Sequence, residues 1–331
     1  MSEKVRVGVV GVGDFGRHHV RVYRSLEEAA LVGVFDTNQE RAEQVSNEHG
    51  TRAFRSLEEL ASAVEAASVA VPTSEHAPVG GALLTAGVDV LVEKPMAGSL
   101  AEADELLATA RAKRRILQVG HTERFNPAVV AAQRVLTTPL FFEVHRLGGF
   151  SGRSLDVDVI YDVMIHDLDI VLSLVGTDPS AVHAVGIPIL SPRVDIANVR
   201  LEFSTGCVAN LTASRVSTET VRKLRFFQPG QYVSLDFARQ DALLISVGVP
   251  GGAELSFKPL PTQREEPLAA ELRAFLGAVR TRRPGPVTGE EGRRALAVAE
   301  RVVRGIEEHA RKVPAPLRPA IPGAAVPAKK A

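Results

Sequence analysis

Cysteine is almost absent from this 331-residue sequence. Cys207 stands alone in an apolar, strand-like stretch, so neither an intramolecular disulfide nor a cysteine zinc site can form, and a reducing compartment suits the chain. Charge of one sign is lacking too. Lys plus Arg and Asp plus Glu number 39 each, with no long basic run joined to aromatics, which argues against a nucleic-acid partner. No apolar stretch approaches eighteen uninterrupted residues, and Met1-Ser2-Glu3-Lys4 runs directly into a strand pattern. The expectation is a soluble, cytoplasmic protein with no membrane partner. Internal repeats are missing. The tail from Val313, rich in Pro, Ala and Lys, has no pattern and is expected to be disordered.

The length exceeds one ordinary core and points to two domains. Val5-Arg6-Val7-Gly8-Val9-Val10 breaks into Gly11-Val12-Gly13-Asp14-Phe15-Gly16, a β-branched run followed by three glycines at the spacing G-x-G-x-x-G. Gly11 permits a tight turn, Gly13 lets backbone approach a pyrophosphate, and Gly16 lets the following helix pack on the strand. The phosphates would lie at that helix's N-terminus, with Asp14 and Phe15 counted among the contacts. Leu31-Val32-Gly33-Val34-Phe35-Asp36 supplies the other half of the fingerprint: a second strand ending in a carboxylate, twenty residues after Gly16, where a dinucleotide's ribose hydroxyls are bound. Thr37, Asn38 and Gln39 follow, with no adjacent cation for a 2′-phosphate, so NAD is favoured over NADP.

A helix over about 14–28 carries His18-His19, which face different sides, one packed and one solvated. Asn38 to His49 reads as a helix closed by Gly50, and Ser56 caps another with Glu59 three residues on. Strands at 67–71 and 87–92 follow. The first leads into Pro72-Thr73-Ser74-Glu75-His76 and the second into Glu93-Lys94-Pro95, placing both motifs at the carboxyl edge of a parallel sheet, where open α/β sheets bind ligands. Arg115 to His121 completes the nucleotide domain.

Further on, Asp162 and His166 stand four apart in a helix read from Tyr161 to Val175 and stopped by Gly176. They share a face, and a carboxylate beside an imidazole fixes the tautomer a general base needs, although such a pair on a helix is often structural. Asp169 lies within two turns of them and could complete a metal-binding set, but no metal is expected. From Phe141, short alternating segments separated by turns imply antiparallel strands with one wet face. Helices are expected over 265–280, starting after Pro267, and over 288–312.

The fingerprint, P-T-x-x-H after one strand and E-K-P after the next together resemble the glucose-fructose oxidoreductase, inositol dehydrogenase and rhizopine catabolism (Gfo/Idh/MocA) family of NAD(P)-dependent sugar oxidoreductases. That resemblance implies a fold with an N-terminal Rossmann doubly wound parallel sheet over 1–122 and a C-terminal α+β domain with a large open, mostly antiparallel sheet over 123–312. It implies Lys94, Asp162 and His166 as catalytic residues. Pro72, Thr73, His76, Glu93, Lys94 and Gln118 join Gly11, Gly13, Asp14, Phe15, Gly16 and Asp36 at the cofactor. Gln118, Arg124, Phe125, Asn126 and Pro127 match the family's hinge segment, which passes the nicotinamide; Arg124 reads equally as a boundary salt bridge. A homodimer or homotetramer through the open sheet is also implied.

Gly120-His121 leading to Glu123-Arg124-Phe125-Asn126-Pro127, with the run from Asp156 to Asp169, resembles the UDP-N-acetylglucosamine 3-dehydrogenase branch. The implied reaction passes hydride from C3 of the amino sugar to NAD. Arg124, Asn126, Arg153 and Arg215 are then substrate contacts beside Lys94, Asp162 and His166, and Arg222 is a further candidate cation for the pyrophosphate. The alternatives are an inositol or other sugar dehydrogenase with the same triad, and a non-catalytic NAD-binding regulator. Biliverdin-type reduction is disfavoured by Asp162 and His166.

Overall fold

The computed structural model describes residues 4–150, 157–247 and 255–314. In chain order the first elements are β1 (Val5–Val10), α1 (Asp14–Ser25), β2 (Ala29–Phe35), α2 (Gln39–His49), β3 (Arg52–Ala53), α3 (Leu57–Ala63), β4 (Ala66–Val69), α4 (Thr73–Thr85), β5 (Asp89–Glu93), α5 (Leu100–Lys113) and β6 (Leu117–Gly120). After a 3-10 turn (Thr122–Phe125) come α6 (Pro127–Gln133), β7 (Phe141–Leu147), a π turn (Ile160–Met164) and α7 (Ile165–Val175). Strands β8 (Pro179–Ile187), β9 (Ile196–Phe203), β10 (Val208–Ser214), β11 (Val221–Gln228), β12 (Gln231–Asp236), β13 (Asp241–Val247) and β14 (Leu255–Pro259) precede α8 (Pro267–Thr281) and α9 (Gly289–Lys312).

Two compact units result, residues 1–126 with 264–296, and 127–263 with 297–331. This differs from the expected division at 122/123, because the chain returns to its first unit near the end. The apolar side chains Leu272, Phe275, Leu276 and Val279 of α8 join the core formed by Val7, Val9, Val20 and Tyr23. Burying each contributes roughly 1.5–3 kcal/mol, enough to hold the segment there. Backbone pairing continues the attachment, with Val119 N–H donating to Val287 O at 3.3 Å.

The first unit's sheet has the order β3-β2-β1-β4-β5-β6, all parallel. Strand order reverses direction between β1 and β4, so the segments leaving those strands lie side by side at the carboxyl edge, the position where such sheets bind dinucleotides. Local chemistry sets the helix ends. Asn38 Oδ1 accepts the Arg41 N–H and Ser56 Oγ the Glu59 N–H, while Gly50 ends α2 in the left-handed region at φ 61°. α1 stops at Ser25, short of 28, because Leu26 is already extended and β2 starts three residues later.

The second unit's sheet runs β14-β13-β12-β11-β7-β10-β9-β8, antiparallel except for the parallel pair β7 and β10. Alternation is plain on β9: Ala197, Val199, Leu201 and Phe203 are buried while Asn198 and Arg200 are exposed. The π turn packs on β10, and α6 on β12 and β13. Cys207, beside β10, is buried, and that burial pushes its thiol up to about 11. No helix among the described residues is long and apolar enough to cross a membrane. The tail read as disordered lies outside the described residues from 315 onward.

Candidate active site

Each of the three glycines in the first turn is required for a different reason. Gly11 has φ 81°, and a Cβ there would lie 2.7 Å from the carbonyl oxygen of Ala70. At Gly16 a Cβ would sit 1.8 Å from the Gly11 carbonyl oxygen, so helix and turn could not close together. Gly13 differs: the nearest atom to a Cβ would be Arg41 Nη1 at 3.8 Å, leaving the space outside the turn clear for another molecule's approach. Gly13 also begins α1 with no side-chain cap, so the first N–H groups of the helix remain available to an anion. Asp14 and Phe15 in that first turn are exposed, the ring 66% so.

Asp36, at the end of β2, is buried and fully engaged. Its Oδ2 accepts the Val12 N–H at 2.9 Å and its Oδ1 the Asn38 N–H at 2.8 Å, tying the strand end to the glycine turn. Arg41 reaches the same carboxylate, Nη1 to Oδ2 at 3.5 Å. Inspection of Thr37, Asn38 and Gln39 alone overlooks this cation. With Asn38 as N-cap, Arg41 is the third helical residue and turns back toward Asp36, which the capping pattern could have disclosed.

Pro72 and Thr73 begin α4 beside the glycine turn, and Glu93 and Lys94 leave β5 at the same edge. Here the expectation for His76 changes. Its side chain is buried, Nδ1 facing Pro95 O at 2.8 Å and Nε2 facing Val71 O at 3.0 Å, so it braces the two loops internally. Burial lowers its pKa, offset only in part by those carbonyls and Glu93. Glu93 Oε1 is 2.9 Å from His19 Nε2, and its Oε2 accepts the Lys94 N–H at 3.2 Å. Burial pushes the Glu93 carboxyl up, but the hydrogen bond and charge at His19, with the Lys94 charge, hold it below the ordinary carboxylate range. His19 is the packed member of the histidine pair and His18 the exposed one.

In the second unit, Asp162 falls within the π turn and His166 in the first turn of α7. A plain α-helix from Tyr161 is therefore not what forms. The N–H of Ile165 reaches back five residues to Ile160 O. Four residues fall just short of a full π turn and just beyond an α turn, so Asp162 and His166 keep a common face; both are half-buried. Entry to the segment is fixed by Asp158, whose Oδ1 accepts the Val194 N–H at 2.9 Å and whose carbonyl accepts from Tyr161 and Asp162 at 3.1 Å. Tyr161 is pushed up to about 12 by burial and by Glu300, Asp158 and Glu307. Directly after His166, Asp167 accepts Arg146 Nε at 3.0 and 2.9 Å and Nη2 at 2.8 Å, a buried pair that locks α7 to β7.

The family profile described as "Oxidoreductase family, NAD-binding Rossmann fold" matches residues 5–121, and the GFO/IDH/MocA C-terminal domain matches 145–227. A UDP-N-acetylglucosamine 3-dehydrogenase of Acidithiobacillus ferrooxidans is 39% identical over 307 residues, spanning 92% of this chain and 97% of that protein. The chain belongs to the GFO/IDH/MocA oxidoreductase family. The solved structure of the Acidithiobacillus enzyme superposes with a TM-score of 0.87 at 38% identity, covering 93% of this chain and 99% of that one. An inositol 2-dehydrogenase of Rhizobium meliloti is 25% identical over 92% of this chain and 97% of its own length. Levoglucosan dehydrogenase, solved with NADH and levoglucosan, shares the fold at 16% identity, with a TM-score of 0.85 and coverage of 92% and 98%.

Several residues expected at the GFO/IDH/MocA site serve the scaffold. Gln118 is buried, its Nε2 donating to Glu271 O at 3.4 Å, and a Cβ on Gly285 would touch its Oε1 at 2.6 Å, so its amide is packed toward α8. Arg124 pairs with Glu291, whose other oxygen accepts the Thr288 N–H at 3.0 Å and so caps α9. The boundary salt bridge is thus formed. Asn126 is buried and donates to Glu123 Oε2 at 3.1 Å. Arg215 donates to Asp195 Oδ1 at 2.8 Å, to Val157 O at 2.7 Å and to Ser191 Oγ at 3.0 Å. Its guanidinium thereby holds the entry to the π turn. Its partner Asp195, although burial pushes it up, is held far below the carboxylate range by Ser191, Ile189 and Arg215. Arg222 is exposed on β11, and Arg153 lies outside the described residues. Asp169 is buried, and among the described residues no three His, Cys, Asp or Glu side chains gather as a metal site.

Proposed function

We propose that this chain oxidises a secondary hydroxyl of a sugar nucleotide, C3 of UDP-N-acetylglucosamine, to the ketone. The observation that carries it is the 39% identity to a UDP-N-acetylglucosamine 3-dehydrogenase along 92% of the chain, and Lys94, Asp162 and His166 stand where the family resemblance implies a catalytic set. The glycine turn, open at Gly13 and backed by Asp36, fits a dinucleotide. When bound, NAD supplies the hydride acceptor. His166 removes the hydroxyl proton as C3 loses its hydrogen with the bonding pair, and Asp162 orients the imidazole and offsets its positive charge. Lys94 holds the reacting oxygen and stabilises the negative charge developing there.

The Asp36 carboxylate opposes a ribose 2′-phosphate and favours NAD, with Arg41 tempering that preference. Phe141, Phe227 and Tyr232 form a ladder with centroid spacings of 5.7 and 5.2 Å on the outward side of the second sheet, and Phe257 nearby is 61% exposed. That apolar ridge supports assembly of copies through the open face. The single buried thiol suits the reducing cytoplasm.

Purified protein mixed with NAD and UDP-N-acetylglucosamine, with inositol and glucose as parallel substrates, tests the assignment by absorbance of the reduced nicotinamide. Signal with the sugar nucleotide alone supports the assignment; turnover with inositol or glucose redirects it to a polyol or sugar. Silence with every substrate while NAD still binds would make the protein a sensor.

A further inference from the structure

Helix α1, which opens with the glycine turn, carries a second polar group at its inner side. His19 is 1% exposed, six residues beyond Gly13, and its Nε2 meets Glu93 Oε1 at 2.9 Å. The other oxygen of that carboxylate accepts the backbone N–H of Lys94 at 3.2 Å. Space for the carboxylate exists only because residue 120 is glycine: a Cβ there would lie 2.8 Å from the Glu93 carboxyl carbon. Glu93 is thus gripped between α1, β6 and the backbone it precedes. A buried carboxylate without such partners is strongly unfavourable, so the His19 contact decides whether Glu93 stays in this rotamer as a charged acceptor.

We propose that His19 is a positioning residue for Lys94, acting through Glu93. His19 fixes the carboxylate, and the carboxylate fixes the peptide from which the Lys94 ammonium is offered to the substrate oxygen. The inference rests on the assignment of Lys94 to that oxygen. Groups facing Glu93 are His19 from α1 and Lys94 beside it, with His76 of α4 also within electrostatic reach.

The test compares the parent with His19→Asn and His19→Gln. An amide at the Gln position reaches as far as Nε2 and still donates to Glu93, whereas the Asn amide stops short. Three quantities are read on each full-length protein: the rate at which an amine-reactive reagent modifies Lys94, followed by peptide mass spectrometry; NAD affinity by fluorescence; and kcat and KM with UDP-N-acetylglucosamine. His19→Asn is expected to change the Lys94 modification rate severalfold and to lower kcat about tenfold or more, the scale that misplacing a catalytic group costs. NAD affinity and sugar KM should stay within about twofold, and His19→Gln should recover most of the loss. An unchanged Lys94 modification rate in folded His19→Asn overturns the proposal. So does a parallel loss of NAD affinity and kcat that Gln fails to rescue, since that reports damage to α1. Should His19→Asn not fold, Glu93→Gln, which keeps the shape and loses the charge, must show the altered Lys94 modification rate or the proposal fails. A parent inactive on every sugar would sink the functional assignment while Lys94 modification still decides the positioning.

Discussion

Removing Arg146 by substitution with Met would leave the Asp167 carboxylate buried without its main counter-charge. Both side chains are under a tenth exposed, and three N–H···O contacts of 2.8 to 3.0 Å join them. Breaking one side of a buried pair costs about 3–5 kcal/mol, because the surviving charge keeps its desolvation penalty. The Arg146 guanidinium also lies 4.9 Å from the centre of the Phe237 ring, a contact worth about 0.5–1 kcal/mol more. At about 2–4 °C per kcal/mol for a domain of this size, thermal unfolding by circular dichroism should come roughly 7–24 °C earlier. Activity should fall as well, since Asp167 is next to His166. The double variant Arg146→Met with Asp167→Leu has no stranded charge and should recover most of the stability, as apolar replacements of buried pairs commonly do. A single variant costing under about 1 kcal/mol, or a double variant no better than the single, would refute the claim that a desolvated ion pair holds α7.

Gly13→Ala and Gly16→Ala should separate cofactor binding from folding. The first meets no protein atom closer than 3.8 Å and should leave the melting temperature unchanged while weakening NAD at least about tenfold, read by calorimetry. The second drives a Cβ to 1.8 Å from the Gly11 oxygen and should lower both stability and binding. Acid should weaken the first unit through His76. Its folded pKa is below the ordinary value of 6.5, so the unfolded chain takes up the proton first; stability is full above about pH 6.5 and falls as the pH drops through the folded value. Glu93, depressed below its ordinary 4.5, adds a further loss only at more acid pH. Urea midpoints measured at pH 7.5 and 5.5 should therefore differ more in the parent than in His76→Gln, and equal slopes would show that His76 does not titrate.

Features that one stretch of chain decides were legible in the sequence. Asn38 and Gly50 bound α2 as their chemistry dictates, Ser56 and Gly176 mark helix ends, and Pro267 starts α8. The G-x-G-x-x-G turn with Asp36 fixed the parallel sheet and its ligand edge. Features that depend on distant partners were not. The return of 264–296 to the first unit rests on α8 matching a core built some 250 residues earlier, which no local period reveals. Strand β14 is exposed throughout and so lacks the apolar alternation that marks a half-buried strand. The π turn adds one residue to a helical turn without a compositional sign. Arg124 and Arg215 looked available for a ligand because their acceptors, Glu291 and Asp195, lie 167 and 20 positions away.

Asp36 carries a consequence for protein engineering. A customary route to a changed nicotinamide preference is to replace the acid at the end of the second strand with a small neutral residue and rely on a nearby cation. In this chain the same carboxylate accepts the Val12 N–H of the phosphate turn, the Asn38 N–H that starts α2, and the Arg41 guanidinium. Removing it unfastens the turn it was meant to leave untouched, and frees Arg41 at the same stroke. Cofactor choice and the rigidity of the loop are inherited together here, so a redesign has to supply Val12 with a new acceptor before specificity can be altered cleanly.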